Sequence, residues 1–293
     1  MDVEHVMRPL TDVWARSLFH LFEYGSAVAP RGQKTLELRL ATVAFDSRFT
    51  VLENKARRLG YRFMAAEAAW ILSGDDRVET IAPFSKAIAS FSDDGEKFFG
   101  AYGPPLLRQW DYVKTKLRED ENTRQAVINI WRDSPEPTKD TPCTLSYQFL
   151  LRHNQLHLSV AMRSSDVWLG LPYDAFNQAM ILCAMALELS QTRYELLKTG
   201  SIAVSTGSLH LYERNFDGAR EALKEAPGRR LDSAASSNFY VSVKQMRDCG
   251  VCDRASLADA LWKVAKDEPA PGFFEKLRTH ITGMENARAS LVG

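Results

Sequence analysis

The chain has 293 residues, enough to bury a substantial core as one large domain or two small ones. Its 37 basic residues balance 37 acidic ones, so the field that draws basic proteins to nucleic acid is missing, while a small charged substrate stays allowed. The longest apolar run, Ala179 to Leu187, falls short of the roughly 18 residues a membrane span needs; with Asp2 and Glu4 spoiling a basic leader and four scattered cysteines that build no disulfide framework, the expectation is a cytoplasmic protein with reduced thiols.

From Val6 to Tyr24 the apolar residues Val13, Leu18, Leu21 and Phe22 recur at helical spacing, and Gly25 supplies a stop. After the turn-rich APRGQK, the segment Thr35 to Phe45 alternates Leu36, Leu38 and Leu40 with Glu37, Arg39 and Ala41, which predicts a half-buried strand. Gly60 to Ser73 reads as a buried helix ending at Gly74, with one acid, Glu67, inside its apolar stretch. A lone acid there needs a reason. Strands are predicted at Gln125 to Trp131, Thr144 to Leu151, Leu156 to Met162 and Ser201 to Leu211, and one long helix from Tyr173 to Lys198. Loops follow at Ala226-Pro-Gly and Asp232-Ser-Ala-Ala-Ser-Ser, then helical patterns from Ser256 to Lys266 and Gly272 to Arg288. The pair Cys249-Gly-Val-Cys252 lacks a second pair or a nearby histidine and is read as chance spacing.

Chemistry concentrates between Asp140 and Asp174. Cys143 taken alone is a small core residue, but Arg163 and Ser164 follow one strand later. A guanidinium beside a thiol lowers its pKa and also matches a phosphate in a two-pronged contact.

Six separated blocks in order now resemble the thymidylate synthase family over about Arg31 to Arg220. They are Ala66-Glu67-Ala68-Ala69-Trp70 with Gly74-Asp75; Tyr102-Gly103; Pro142-Cys143, with Thr144 where the family has histidine; Arg163, Ser164 and Asp166; Leu169, Gly170, Pro172 and Tyr173; and His210 with Tyr212, preceded by Ser208 where an acid is common. The resemblance implies an α/β (α+β) fold with a large mixed sheet packed with helices. It implies a single domain over residues 1–293 with an atypical helical segment from about residue 226, and an obligate homodimer through the sheet face.

By the same resemblance Cys143 adds to C6 of a pyrimidine nucleotide, Glu67 and Tyr102 assist catalysis, and 5,10-methylenetetrahydrofolate donates the carbon without a metal. The phosphate would rest on Arg31, Arg163 and Ser164, with Arg124 reaching over from a partner subunit, Gln125 replacing a second arginine there and Arg132 as a substitute. Asp166 and Gly170 would border the substrate, and His210 and Tyr212 would hold the sugar hydroxyl.

Asp174 stands where synthases carry asparagine and cytosine-specific relatives carry aspartate. Uracil shows a donor at N3 and an acceptor at O4, which a side-chain amide meets, and cytosine reverses both. A protonated carboxyl donates to N3 and accepts from the N4 amino group, or an ionised one pairs with N3-protonated cytosine. Synthases also keep a tryptophan that shields the methylene intermediate, and the matching stretch here is Ala87-Ile88-Ala89-Ser90-Phe91. Its absence argues for water entry and a hydroxymethyl product, with Glu67 orienting the water. Ala175 is small where synthases carry a bulkier residue, which keeps CMP beside dCMP as substrate. The closing tail ENARASLVG lacks the family's aliphatic-proline pattern. Alternatives are C5 methylation of dCMP or dUMP, or a silent family member that binds nucleotide or RNA.

Overall fold

The computed structural model describes residues 7–57, 59–133, 135–191, 197–225 and 239–289. In chain order these form α1 (Leu10–Tyr24), β1 (Ser26–Val28), β2 (Thr35–Asp46), α2 (Tyr61–Ser73), α3 (Val78–Ile81), α4 (Gly103–Glu119), β3 (Val127–Asn129), β4 (Thr144–Arg152), β5 (Gln155–Met162) and β6 (Ser165–Asp166). They continue with α5 (Leu171–Ser190), β7 (Lys198–Tyr212), α6 (Phe216–Glu225), α7 (Val243–Asp248), α8 (Arg254–Lys266) and α9 (Gly272–Ala289). The mixed α/β architecture expected from the sequence is present.

The sheet runs β1-β2-β7-β5-β4-β3, with β6 beside β7. Only the β5–β7 and β6–β7 pairs are parallel. Along β5, Leu156, Leu158, Val160 and Met162 are buried while His157, Ser159 and Ala161 are half-exposed. Such strict alternation means that one face of the sheet is covered and the other is open. Helix α5 touches β5, β7, α1, α2, α4, α7 and α8. It is therefore apolar nearly all round, and its buried Phe176, Leu182 and Leu187 each contribute about 1.5–3 kcal/mol.

Helix α8 docks on α2: Arg62 Nε donates to the Ala265 carbonyl at 2.9 Å, Trp262 Nε1 to Ser73 Oγ at 3.2 Å, and Arg254 Nη1 to the Leu72 carbonyl. Glu188 on α5 ties in two further helices, accepting from Lys114 Nζ of α4 at 2.9 Å and from the Arg254 backbone N–H at 3.3 Å.

Several expectations need correction. Helix α1 starts at Leu10 behind Pro9, whose missing N–H suits a helix entrance; Val6 lies outside the described residues. The helix predicted to reach Lys198 ends at Ser190, and Lys198 opens β7 by pairing with Gln155. Residues 192–196 between them, like the loops predicted within 226–237, lie outside the described residues. The strand expected over Gln125 to Trp131 narrows to Val127–Asn129. In β2 the leucine alternation breaks: Leu40 has φ 53° and is 88% exposed, while the covered face carries Val43 and Phe45. Among the described residues no helix is long and apolar enough to cross a membrane.

Candidate active site

Cys143 is the last residue before β4 and Arg163 the first after β5. Antiparallel pairing of these strands, with Thr144 opposite Met162, brings the two together, and the Arg163 N–H donates to the Cys143 carbonyl at 2.8 Å. A register shift between Thr144 and Ser146 re-aims the strand end. Ser164 Oγ lies 3.8 Å from Cys143 Sγ. The Arg163 guanidinium is fixed by Nε to the Pro142 carbonyl at 2.9 Å, Nη2 to the Thr141 carbonyl at 2.8 Å and Nη1 to Ser164 Oγ at 3.1 Å. Its remaining N–H groups are left for an anion.

The arginine does lower the thiol's pKa, but burial outweighs it and pushes the Cys143 thiol up, with Asp174 adding to the rise. The lowering expected from the guanidinium is present, and burial exceeds it, so in the ligand-free site the thiol holds its proton. Tyr102 Oη accepts from the Thr144 N–H at 3.3 Å, next to the cysteine. Withdrawal from water holds that phenol well above its ordinary range.

The acid that was out of place in α2 has its reason. Glu67 Oε2 accepts from Asn177 Nδ2 at 2.8 Å, and burial, partly offset by that bond, raises its carboxyl to about 7. Asp174 lies in the first turn of α5, where the helix dipole favours an ionised acid. Burial wins instead, and with Glu67 and Asp166 nearby it lifts Asp174 to about 8. Gly170 makes room for it, since a Cβ there would sit 3.2 Å from Asp174 Oδ2.

These groups share a cavity of about 160 Å³. Cys143, Glu67, Asp174, Asn177, Tyr102 and Asp140 supply its polar wall; Trp70, Ile71, Ile88, Phe91 and Phe98 supply the apolar one. Pockets for whole ligands run to about 300–1,000 Å³, so this one has room for little more than a single ring. Ile88 and Phe91 occupy the stretch where no tryptophan stands, and Phe91 is 54% exposed.

His210 and Tyr212 lie at the same C-terminal end of β7, a few residues beyond Thr206, which pairs with Met162. His210 pairs with Asp166 on one side and with Glu37 on the other, and its ring meets Tyr212 edge-on at 5.2 Å. Asp166 Oδ1 accepts from the Trp168 and Leu169 N–H groups at 2.8 and 3.0 Å, so this acid shapes the turn into α5. Arg31, with φ 50°, is exposed in the loop before β2, whose Thr35 pairs with Tyr212. Arg124 is not brought to Cys143 of its own chain. Its carbonyl accepts from Gln148 Nε2, five positions along β4, or roughly 16 Å at strand rise. Arg132 stacks on Phe99 at 3.6 Å and donates to the Phe99 carbonyl. Ala175 is fully enclosed in the core, so its small size opens no space beside a sugar.

Three residues escaped the sequence reading. Asn177 sits one turn beyond Asp174, a spacing that puts both on one helix face. Glu37 accepts from Ser208 Oγ at 2.6 Å and so places an acid of β2 beside Ser208. Asp140 enters the cavity through a contact with Gly100, forty residues away. Cys249 and Cys252 are free thiols, and among the described residues no group of three or more His, Cys, Asp or Glu could hold a metal ion.

Comparison with known proteins identifies the class. The family model for thymidylate synthase matches residues 16–250, and the chain belongs to that family. Deoxyuridylate hydroxymethyltransferase of Bacillus phage SP01 is 33% identical over 248 residues, covering 76% of this chain and 62% of the phage protein, thus under two thirds of that relative's length. Thymidylate synthase of Pseudomonas fluorescens (strain SBW25) is 25% identical over 199 residues, covering 58% of this chain and 69% of the relative.

Proposed function

We propose that the protein hydroxymethylates C5 of a cytidine monophosphate, CMP or dCMP. The observation that carries the base assignment is the Asp174 carboxyl, enclosed in the cavity with Cys143 and raised to about 8. At neutral pH it is protonated and complements cytosine, donating to N3 and accepting from the N4 amino group. Donation at N3 draws electrons from C6, where the Cys143 thiolate attacks. The nucleotide brings the ring against the thiol, and Arg163 stabilises the thiolate as it attacks.

The apolar rim of Ile88, Phe91 and Phe98 fits a flat ring stacked above the pyrimidine, as the family's folate co-substrate requires. When bound there, 5,10-methylenetetrahydrofolate supplies the one-carbon unit. Glu67, held by Asn177, moves protons around the ring and orients water. Without a tryptophan between Lys86 and Phe91, water reaches the C5 methylene and leaves a hydroxymethyl group. His210 and Tyr212 hold the sugar, and Arg31, Arg163 and Ser164 take the phosphate.

Arg124 belongs to the partner's site in this reading, and the open sheet face with exposed Leu40 is the dimer surface. The whole chain then acts as one domain in the cytoplasm.

A second reading has one observation in its favour. A neutral carboxyl can exchange its two roles, accepting from uracil N3–H and donating to O4, and the phage relative is named for deoxyuridylate. The deciding experiment incubates the protein with methylenetetrahydrofolate and each of CMP, dCMP, UMP and dUMP. Mass spectrometry should show a gain of CH2O on a cytidylate, with tetrahydrofolate released unoxidised. Gain on a uridylate alone would establish the second reading, and stoichiometric dihydrofolate would replace hydroxymethylation with methylation.

A further inference from the structure

Asp140 has no part in the chemistry so far, yet it lines the same cavity as Cys143 and Glu67. Its Oδ2 accepts from the Gly100 N–H at 2.7 Å, and its own N–H donates to Thr138 Oγ1 at 3.0 Å. A Cβ on Gly100 would lie 2.3 Å from the Asp140 carbonyl and 3.1 Å from Oδ1, so only glycine lets the segments close. Oδ1 is left for the cavity. The groups that act on it are Asp93, which opposes its ionisation, and Arg132, which favours it; Cys143, Glu67 and Asp174 line the same space.

We propose that Asp140 is the general base for the water that captures the C5 methylene intermediate. This rests on the hydroxymethylase reading. The water oxygen bonds to the exocyclic methylene carbon while Asp140 Oδ1 takes the water's proton. The electron pair of the exocyclic double bond moves into C5–C6, and the C6–S bond breaks to release the Cys143 thiolate. The Asp140 proton then returns to the thiolate, and nothing is oxidised or reduced.

The cavity's acids divide this work by environment. Burial raises Asp140 to about 6, Glu67 to about 7 and Asp174 to about 8. Near neutral pH Asp140 is the ionised member able to accept a proton, and Asp174 the neutral one able to donate. Glu67 lies between them, as suits a group that passes protons both ways.

The test separates capture from the steps before it. Asp140→Asn keeps an acceptor for Gly100 but loses the base. With 2-mercaptoethanol present, whose thiolate needs no base, the variant should release the substrate's C5 hydrogen at near wild-type rate. It should form the thioether and lose hydroxymethyl product about 100-fold. Unchanged hydroxymethyl yield, or loss of hydrogen release and product together while nucleotide still binds, overturns the role. Should the variant lose nucleotide binding, the wild type decides. At fixed thiolate concentration its ratio of hydroxymethyl to thioether product should fall as pH drops through about 6, and a flat ratio rejects Asp140. A wild type that makes only methyl product rejects the hydroxymethylase reading, and Asp140 with it. Hydroxymethyl product with an indifferent Asp140→Asn rejects Asp140 alone.

Discussion

At the ring end proposed for the site, Glu67 and Asp174 come from α2 and α5 and Asp140 and Cys143 from the one segment before β4, yet each is set before a ligand arrives. Asn177 holds Glu67, Gly100 holds Asp140, and Gly170 leaves the space that Asp174 fills. At the loose end, Arg31 and Arg124, proposed to join the fixed Arg163 at the phosphate, are exposed, and their guanidinium groups have no partner among the described residues. Water solvates a lone guanidinium well, and a phosphate can gather such groups on arrival. A carboxyl kept neutral owes that state to the surrounding protein, so its shell must be built in advance.

The largest effect should come from the preset end. Cys143→Ala should cut C5 hydrogen release by at least about 10⁴-fold while nucleotide binding, read by calorimetry, changes little. Near-normal release would end covalent catalysis through this residue. Glu67→Gln should lower turnover by about 10²–10³-fold with a modest change in binding, read by single-turnover kinetics, and a pure rise in KM would make Glu67 a binding group.

The loose end should respond differently. Arg124→Ala should raise KM about tenfold or more, the worth of one charged hydrogen bond, with turnover at saturation nearly kept. At substrate well below KM, where Arg124→Ala alone is weak, mixing it with Cys143→Ala and allowing subunits to exchange should raise activity to about a quarter of wild type, because each mixed dimer then has one intact site. No recovery would place Arg124 within its own chain's site or outside both. Asp174→Asn should shift base preference from cytidylate toward uridylate by about 1–3 kcal/mol, and an unchanged preference would show that another group reads the base.

The smallest effect is on stability. Folding raises Asp174 to about 8 and Glu67 to about 7, so between about pH 4 and 8 the folded chain holds protons that the unfolded chain has released. Stability should therefore fall as pH rises through that window and level off above it. Asp174→Asn should flatten the slope of Tm against pH, and equal slopes would mean that Asp174 is ionised in the folded protein.

The ring end was also the legible end. Cys143, Arg163, Ser164 and Asp174 stand in short motifs whose order alone brings them near one another. Asp140 and Asn177 were missed because their roles arise from packing: one depends on Gly100 forty residues earlier, the other on facing α2. Helix α4 was not predicted either. Pro104 and Pro105 look like a loop but occupy its first turn, where proline fits, and Leu106, Trp110, Val113 and Leu117 form its buried stripe. The end of α5 was misplaced because the apolar run carries no stop signal at Ser190.

The pairing of Thr35 with Tyr212 has a consequence in time. Strand β2 leaves the ribosome well before β7, its main partner, so the nascent chain must shelter an unmatched strand until most of the sequence has been made. Closing so long a loop costs entropy that only the finished ladder repays. The end of β7 where His210 meets Glu37 across that ladder is thus expected to assemble late. Substitutions that weaken β7 should show first as poor yield from translation, before any loss of activity in the molecules that fold.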